Sequence, residues 1–213
     1  MTQVRRVAMA LSALALVVTG CGAAPVTSTS PSSSPGPPPP AASSVAADPG
    51  GNADPARFAP QVRTRAAEAG VSPQLVMVIL YNEAYKPHDP ALEREWQRLK
   101  PDAAFGVANM HEATFEQAKK GRAFAGRSWQ QLPDDPDLAI EAEAWYLHDL
   151  AAQLPAKRSG SLSTDELLAL GYNAGPGNMK AFARGTKPGS QAQSYLDTLR
   201  DNWAKAGKVL GNG

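Results

Sequence analysis

Seven consecutive apolar residues, Leu75-Val76-Met77-Val78-Ile79-Leu80-Tyr81, constrain this chain more than any other feature. A run of that length is compatible with a buried strand or a buried helix. Its borders decide between them. Ser72 offers a hydroxyl for an N-cap, and Pro73 follows at the first helical position, where its missing N–H does no harm. Asn82 and Glu83 form a polar exit. The stretch therefore predicts a helix that is apolar on all sides and so lies at the centre of its domain.

The segments around it keep a helical period. Pro60 to Ala69 puts Val62, Ala66 and Ala69 on one face, with Gly70 as a stop. Ala91 to Leu99 spaces Leu92, Trp96 and Leu99 helically, and His111 to Lys120 reads as a short helix. Pro136 to Gln153 follows Asp135 as a cap. It carries Leu138, Ala142 and Trp145 on one stripe and Ile140, Ala144, Leu147 and Ala151 beside it. Ser163 to Glu166 is a capping box that opens a helix predicted to end at Tyr172-Asn173. A last helix is predicted over 190–206. The alternation and β-branched clusters of strands are missing. The expectation is an all-α domain over 56–213, about 155 residues and enough for one core.

The first 20 residues read as a signal peptide: Arg5 and Arg6, then an apolar Val7 to Val18 too short to span a bilayer. Val18-Thr19-Gly20-Cys21 follows, and this order resembles the lipobox of bacterial lipoproteins, in which the cysteine is lipidated. Cys21 is the chain's one cysteine, so an intramolecular disulfide and a zinc–cysteine site are both excluded. Residues 21–55 are rich in Pro, Ser, Ala and Thr and include Pro37 to Pro40. So few large apolar residues cannot offset the entropy of ordering, which predicts a disordered tether. Fully extended at about 3.1 Å per residue, it would reach on the order of 100 Å. Lys and Arg total 21 against 20 Asp and Glu, a net charge of +1. That balance argues against a nucleic-acid binder, which needs a basic stripe for phosphates.

Leu170-Gly171-Tyr172-Asn173-Ala174-Gly175-Pro176-Gly177-Asn178 is the most specific motif. Gly175, Pro176 and Gly177 break the backbone and hold Tyr172 and Asn173 in the last turn before the break. The string resembles the Tyr-Asn-Ala-Gly-Pro-Gly signature of the lytic transglycosylases, SLT-type enzymes with a goose-lysozyme-like fold that cleave the glycan of bacterial cell wall. The resemblance spans roughly Val71 to Leu199. Leu75 to Tyr85 resembles the family segment in which an apolar helix carries the catalytic glutamate; here that residue is Glu83. A carboxyl leaving so apolar a helix is poorly solvated, which favours its protonated form and suits a proton donor. The family's next residue is a serine that supports the glutamate, and here it is Ala84.

Phe105 to Thr114 resembles the family's Gly-Leu-Met-Gln-x-x-Pro-Ala-Thr. Asn109 stands for the substrate-contacting Gln and Glu112 for the Pro. Without the family, Asn109 reads as a turn amide capping the next helix. Ile140 to Leu150, with Tyr146-Leu147, resembles a family helix ending in Tyr-Leu. Ser190 to Leu196 resembles the stretch around a Tyr-Val, with Tyr195 as its tyrosine and Gln191 in place of a Glu. Pro87 to Pro101 looks like an insertion that alters one wall of the cleft.

Other chemistries are poorly supported. His88, His111 and His148 lack metal-ligand spacing. Phosphate-loop, dinucleotide and Gly-x-Ser-x-Gly motifs are missing. Trp96, Trp129, Trp145 and Trp203 read as core residues, with sugar stacking as the alternative. Glu93, Glu95, Asp102 and Asp165 read as surface residues, so no second catalytic carboxylate stands out.

The resemblance implies a one-carboxylate route without metal or organic cofactor. Glu83 is the acid and then the base, and the substrate's N-acetyl group stabilises the developing charge. Tyr172, Asn173, Asn109 and Tyr195 bind the sugar, and the product ends in 1,6-anhydro-muramic acid. The expected partners are peptidoglycan strands and, through lipidated Cys21, the outer face of a membrane in the cell envelope, for a monomeric protein that binds no nucleic acid. Two alternatives stand beside this reading: a non-catalytic peptidoglycan-binding or scaffold protein with a degenerate site, and a hydrolytic lysozyme on the same fold.

Overall fold

The computed structural model describes residues 54–211. The signal peptide, Cys21 and most of the tether lie outside the described residues. Within them the structure is helical, with one isolated bridge between Phe105 and Met110 and no strand.

A 3₁₀ turn, Pro55–Phe58, leads directly into α1, Ala59–Ala69. Gly70 closes α1 in the left-handed region at φ 68°, donating back to the Ala66 and Ala67 carbonyls. Ser72 caps α2, Pro73–Glu83, by accepting from the Leu75 amide at 3.2 Å. Every residue of α2 from Leu75 to Glu83 is buried, as an all-apolar helix requires. Its neighbours are α1 (Ala59–Ala69), α5 (Pro136–Ala151), α6 (Thr164–Ala183) and, most extensively, α7 (Ser190–Val209).

Two amides fasten α7 to the central helix. Gln74 Nε2 donates to the Trp203 carbonyl at 2.8 Å, beside Gly207, where a Cβ would come within 2.8 Å of that nitrogen. Asn82, buried at the other end of α2, donates to the Tyr195 carbonyl and accepts from Asn202, each at 3.1 Å. A buried amide satisfied at both ends sets the register of the two helices.

Asp135 and Pro136 start α5 as predicted, and Asp135 accepts from the Leu138 amide at 3.0 Å. The Ser163–Glu166 capping box opens α6, with reciprocal bonds of 3.2 and 2.8 Å. The predicted break after Tyr172-Asn173 is present, because Gly175 lies at φ 84°, ψ 162°. The helix does not end there, however. Pro176 suits the first turn of a new helical stretch, and α6 resumes to Ala183. The last helix likewise runs on to Val209 rather than stopping at Ala206.

The one helix of the predicted insertion, α3 (Pro90–Leu99), departs from a core-facing reading. In it Glu93 is the buried residue, while Leu92, Trp96 and Leu99 are 62%, 51% and 73% exposed. Trp96 is therefore not a core residue. Trp129 is, in a 3₁₀ turn over Trp129–Gln131, and Trp145 and Trp203 are partly buried against the core. The short α4, Glu112–Ala118, buries Phe115 and Ala118. Among the described residues no helix is long and apolar enough to cross a membrane.

Candidate active site

The site grows from the last turn of α2. Glu83 follows the apolar run and is only 6% exposed, so its carboxyl must find partners within the protein. Two side chains supply them. Asn109 Nδ2 donates to Oε2 at 2.9 Å, and the Tyr195 hydroxyl donates to Oε1 at 3.1 Å. Burial pushes the Glu83 carboxyl above the ordinary range. Those two hydrogen bonds, and the charges of Lys86 and His88, oppose the shift without cancelling it.

Asn109 reaches Glu83 because of its backbone. It lies at φ 48°, the one non-glycine residue with positive φ among those described, and asparagine tolerates this region better than most residues. The tight turn from Phe105 to Met110 is held at three atoms. The Glu93 carboxylate accepts from the Gly106 amide at 2.8 Å, the Tyr172 hydroxyl donates to the Ala108 carbonyl at 2.6 Å, and Trp129 Nε1 donates to the Met110 carbonyl at 2.8 Å. The Trp129 ring also stacks on Phe105, with centroids 4.1 Å apart. Gly106, at φ 72°, passes so close to Leu132 that a Cβ would meet its carbonyl oxygen at 2.7 Å. Asn109 Nδ2 also donates to the hydroxyl of the exposed Tyr85 at 3.1 Å, and its Oδ1 has no hydrogen-bond partner.

The five residues singled out from sequence thus divide. Glu83, Asn109 and Tyr195 are in direct contact. Tyr172 joins them one step removed, its hydroxyl committed to the Ala108 carbonyl and its ring edge-on to Tyr146 at 5.8 Å. Burial and nearby Glu143 and Glu83 hold the Tyr172 phenol well above its usual range, and burial and Glu83 do the same to Tyr195, so both remain O–H donors. Asn173 is exposed and makes no bond to Glu83. It lines an open groove of about 650 Å³ with Asn178, Lys187, Ser190 and Gln191. Its walls come from the second half of α6 and the start of α7, and neither Glu83 nor its two hydrogen-bond partners lines it.

Glu93 was expected at the surface and is buried instead. It accepts from Gly106 and pairs with His88 Nδ1 at 2.9 Å, latching α3 to the turn that carries Asn109. Glu95 and Asp102 are exposed and Asp165 is partly buried, none of them bonded to the Glu83 cluster. Among the described residues no group of three or more His, Cys, Asp or Glu could hold a metal ion. Sequence reasoning missed Asn82 and Asn202 behind Tyr195, the Tyr85 hydroxyl, and Glu143, a fully buried carboxyl on α5. The signal for Glu143 was its spacing from Tyr146 and Leu150, which puts an acid on an otherwise apolar stripe.

A buried acid on a central helix, flanked by an amide turn and two tyrosines, thus sits in an all-helical, lysozyme-like domain. The family model of the transglycosylase SLT domain matches residues 61–194, and the chain belongs to that family. The match runs from α1 to the turn before Tyr195 and takes in Glu83, Asn109, Tyr172 and Asn173. No curated protein and no solved structure matches the chain.

Proposed function

We propose that this chain cleaves the β-1,4 bond between N-acetylmuramic acid and N-acetylglucosamine in peptidoglycan, with Glu83 as its single catalytic carboxyl. The observation that carries this reading is the environment of Glu83: burial pushes its carboxyl upward and favours the protonated form, while Asn109 and Tyr195 bond its two oxygens. An acid so placed can protonate the leaving oxygen. The substrate's own N-acetyl group then stabilises the developing positive charge. Glu83, now ionised, takes the proton of the C6 hydroxyl as that oxygen closes the anhydro ring. Protons balance, and no water enters.

The neighbours divide the remaining work. Asn109 Oδ1 is a buried acceptor without a partner, which can take the N–H of an acetamido group only as binding uncovers it. Tyr195 and Asn109 stabilise the Glu83 carboxylate once it forms. Tyr172 holds the Asn109 turn in place through Ala108, and Asn173 and Gln191 line the groove along which further sugars would lie. Cys21, lipidated, would tether the domain to the outer face of a membrane through the Pro/Ser-rich segment, so that it can search the wall above.

Digestion of purified peptidoglycan with mass analysis of the fragments tests this. The expected products carry anhydro ends, lighter by one water than hydrolysed ends. Reducing ends alone would assign lysozyme-type hydrolysis. Binding without any soluble fragment would favour the non-catalytic reading, for which the observation is Ala84: the residue after the acid brings no hydroxyl to it.

A further inference from the structure

Glu143 lies in the middle of α5 with no exposed surface, and neither of its carboxyl oxygens has a hydrogen-bond partner. The reaction proposed above makes no use of it. A buried polar group without a partner costs stability, and an apolar side chain would serve the packing of α5 better. Its position shows what it faces. Glu143, Tyr146 and Leu150 follow at helical spacing and form one stripe. Tyr146 meets the ring of Tyr172, and a Cβ on Gly171 would come within 3.2 Å of Leu150 Cδ1. The stripe therefore faces α6 at Gly171–Tyr172, with Glu143 one turn before Tyr146 on the same side. Three groups on three other helices lie within electrostatic reach of it: the Glu83 carboxyl of α2, the Tyr172 phenol of α6 and the Tyr195 phenol of α7. The cations packed around α5 are engaged on its other sides. Arg65 of α1 binds Asp137 and Glu141, Lys119 after α4 binds Glu116, Arg122 binds Asp149, and Arg127 binds Asp135.

We propose that Glu143 is a positioning residue of the site, whose buried O–H stands ready to hydrogen-bond the carboxylate that Glu83 becomes. The inference rests on the reading of Glu83 as the acid. Burial and the charge of Glu83 both oppose ionisation of Glu143, so ionising Glu83 makes the Glu143 proton harder to remove. In the resting site each Glu83 oxygen accepts one bond, from Asn109 or Tyr195, and Ala84 adds none. A carboxylate oxygen has room for a second. While Glu83 is protonated, the Glu143 O–H has no charge to attract it. Once Glu83 has delivered its proton, a carboxylate stands next to a neutral acid, the stronger kind of hydrogen-bond pairing. An interaction that grows only as the reaction proceeds lowers the barrier rather than tightening substrate binding. The proton of Glu143 stays on Glu143 throughout.

The test compares the intact protein with its Glu143→Gln and Glu143→Met variants, by carbon-13 titration of the glutamate carboxyls and by turnover of a soluble glycan-strand substrate. In the wild type, one carboxyl signal that is missing from Glu143→Gln should still be protonated at neutral pH. In Glu143→Met the Glu83 carboxylate loses a donor, so its midpoint should move up. Turnover should fall about 10- to 100-fold, the effect of one charge-assisted hydrogen bond, with KM within about twofold. Glu143→Gln keeps an N–H donor and should recover most of both. A Glu143 signal that ionises with the ordinary glutamates would overturn the proposal, and that wild-type titration holds even should Glu143→Met fail to fold. So would a Glu83 midpoint that stays put in Glu143→Met. An inactive wild type that shows the Glu83 shift would uphold the pairing and sink the enzyme reading. An active wild type without the shift would do the reverse.

Discussion

Glu83 and Tyr195 give the most direct tests of the chemistry. Glu83→Gln keeps the shape and most of the hydrogen bonding but cannot cycle a proton. General acid–base catalysis contributes roughly 100- to 10,000-fold, so turnover of peptidoglycan should fall by that order while glycan binding persists. Unchanged turnover in a pure preparation would remove Glu83 from the mechanism. Tyr195→Phe deletes one donor to the Glu83 carboxylate. The donor favours the ionised form, so its loss raises the Glu83 midpoint further, and the alkaline limb of the rate profile should move to higher pH. A shift to lower pH would mean that Tyr195 acts on something other than Glu83. The family resemblance led to both residues, and for Glu83 so did its place at the polar exit of the apolar helix. Glu143 was harder to see for a physical reason. Glu141 and Glu143 are two apart in an alanine-rich helix and so point to opposite sides. The one cue in the string is that Glu143 shares its stripe with Tyr146 and Leu150. In the structure Glu141 meets Arg65 and Glu143 turns inward.

The turns and helix breaks carry the site, and two glycines separate the ways a backbone can be constrained. Gly175 lies at φ 84°, ψ 162°, and a Cβ there would meet nothing within 4 Å. Gly175→Ala should therefore lose about 1–3 kcal/mol from backbone strain alone. Gly106→Ala combines positive φ with a Cβ placed 2.7 Å from the Leu132 carbonyl, so about 1–3 kcal/mol of overpacking adds to a similar strain. Denaturant unfolding should rank Gly106→Ala as the more damaging; the opposite order would mean that the Leu132 segment yields easily. Local signals named most elements correctly because caps and stops are local: Ser72-Pro73, Asp135-Pro136, the Ser163 box and Gly70 all act as predicted. The failures were tertiary. Pro176 both broke a helix and began the next stretch, and its neighbours alone could not say so. In α3 the helical spacing of Leu92, Trp96 and Leu99 implied a core face. The buried contact is instead the polar one, Glu93 on the Gly106 amide, a partner 13 residues away.

Over the molecule as a whole, its buried carboxyls tilt stability toward mild acidity. Glu83 and Glu143 have folded values above their unfolded ones, both by burial, so the folded state binds more protons than the unfolded chain. Their contribution is fully present below about pH 4.5, the unfolded glutamate range, and is lost as pH rises toward the folded values. Glu166 works the other way. Its value is lowered by the Ser163 amide and Arg200 against its own burial, so its contribution is present above the unfolded range and lost as pH falls. The Tm should therefore rise as pH is lowered from 7 toward 5, and the slope should flatten in Glu83→Gln and Glu143→Gln. A wild-type slope matched by both variants would show that neither carboxyl is held protonated. The proposed anchor is testable at the same level: Cys21→Ser should move the protein from the membrane to the soluble fraction, and continued membrane partitioning would point to an uncleaved Val7 to Val18 instead.

The turn from Phe105 to Met110 is bound by Glu93, Tyr172 and Trp129 before any sugar arrives. Its ordering entropy is thus lost during folding rather than during the encounter. Glycan association should then be limited by diffusion and orientation, with an observed rate that rises linearly with concentration and no slower step of loop closure behind it.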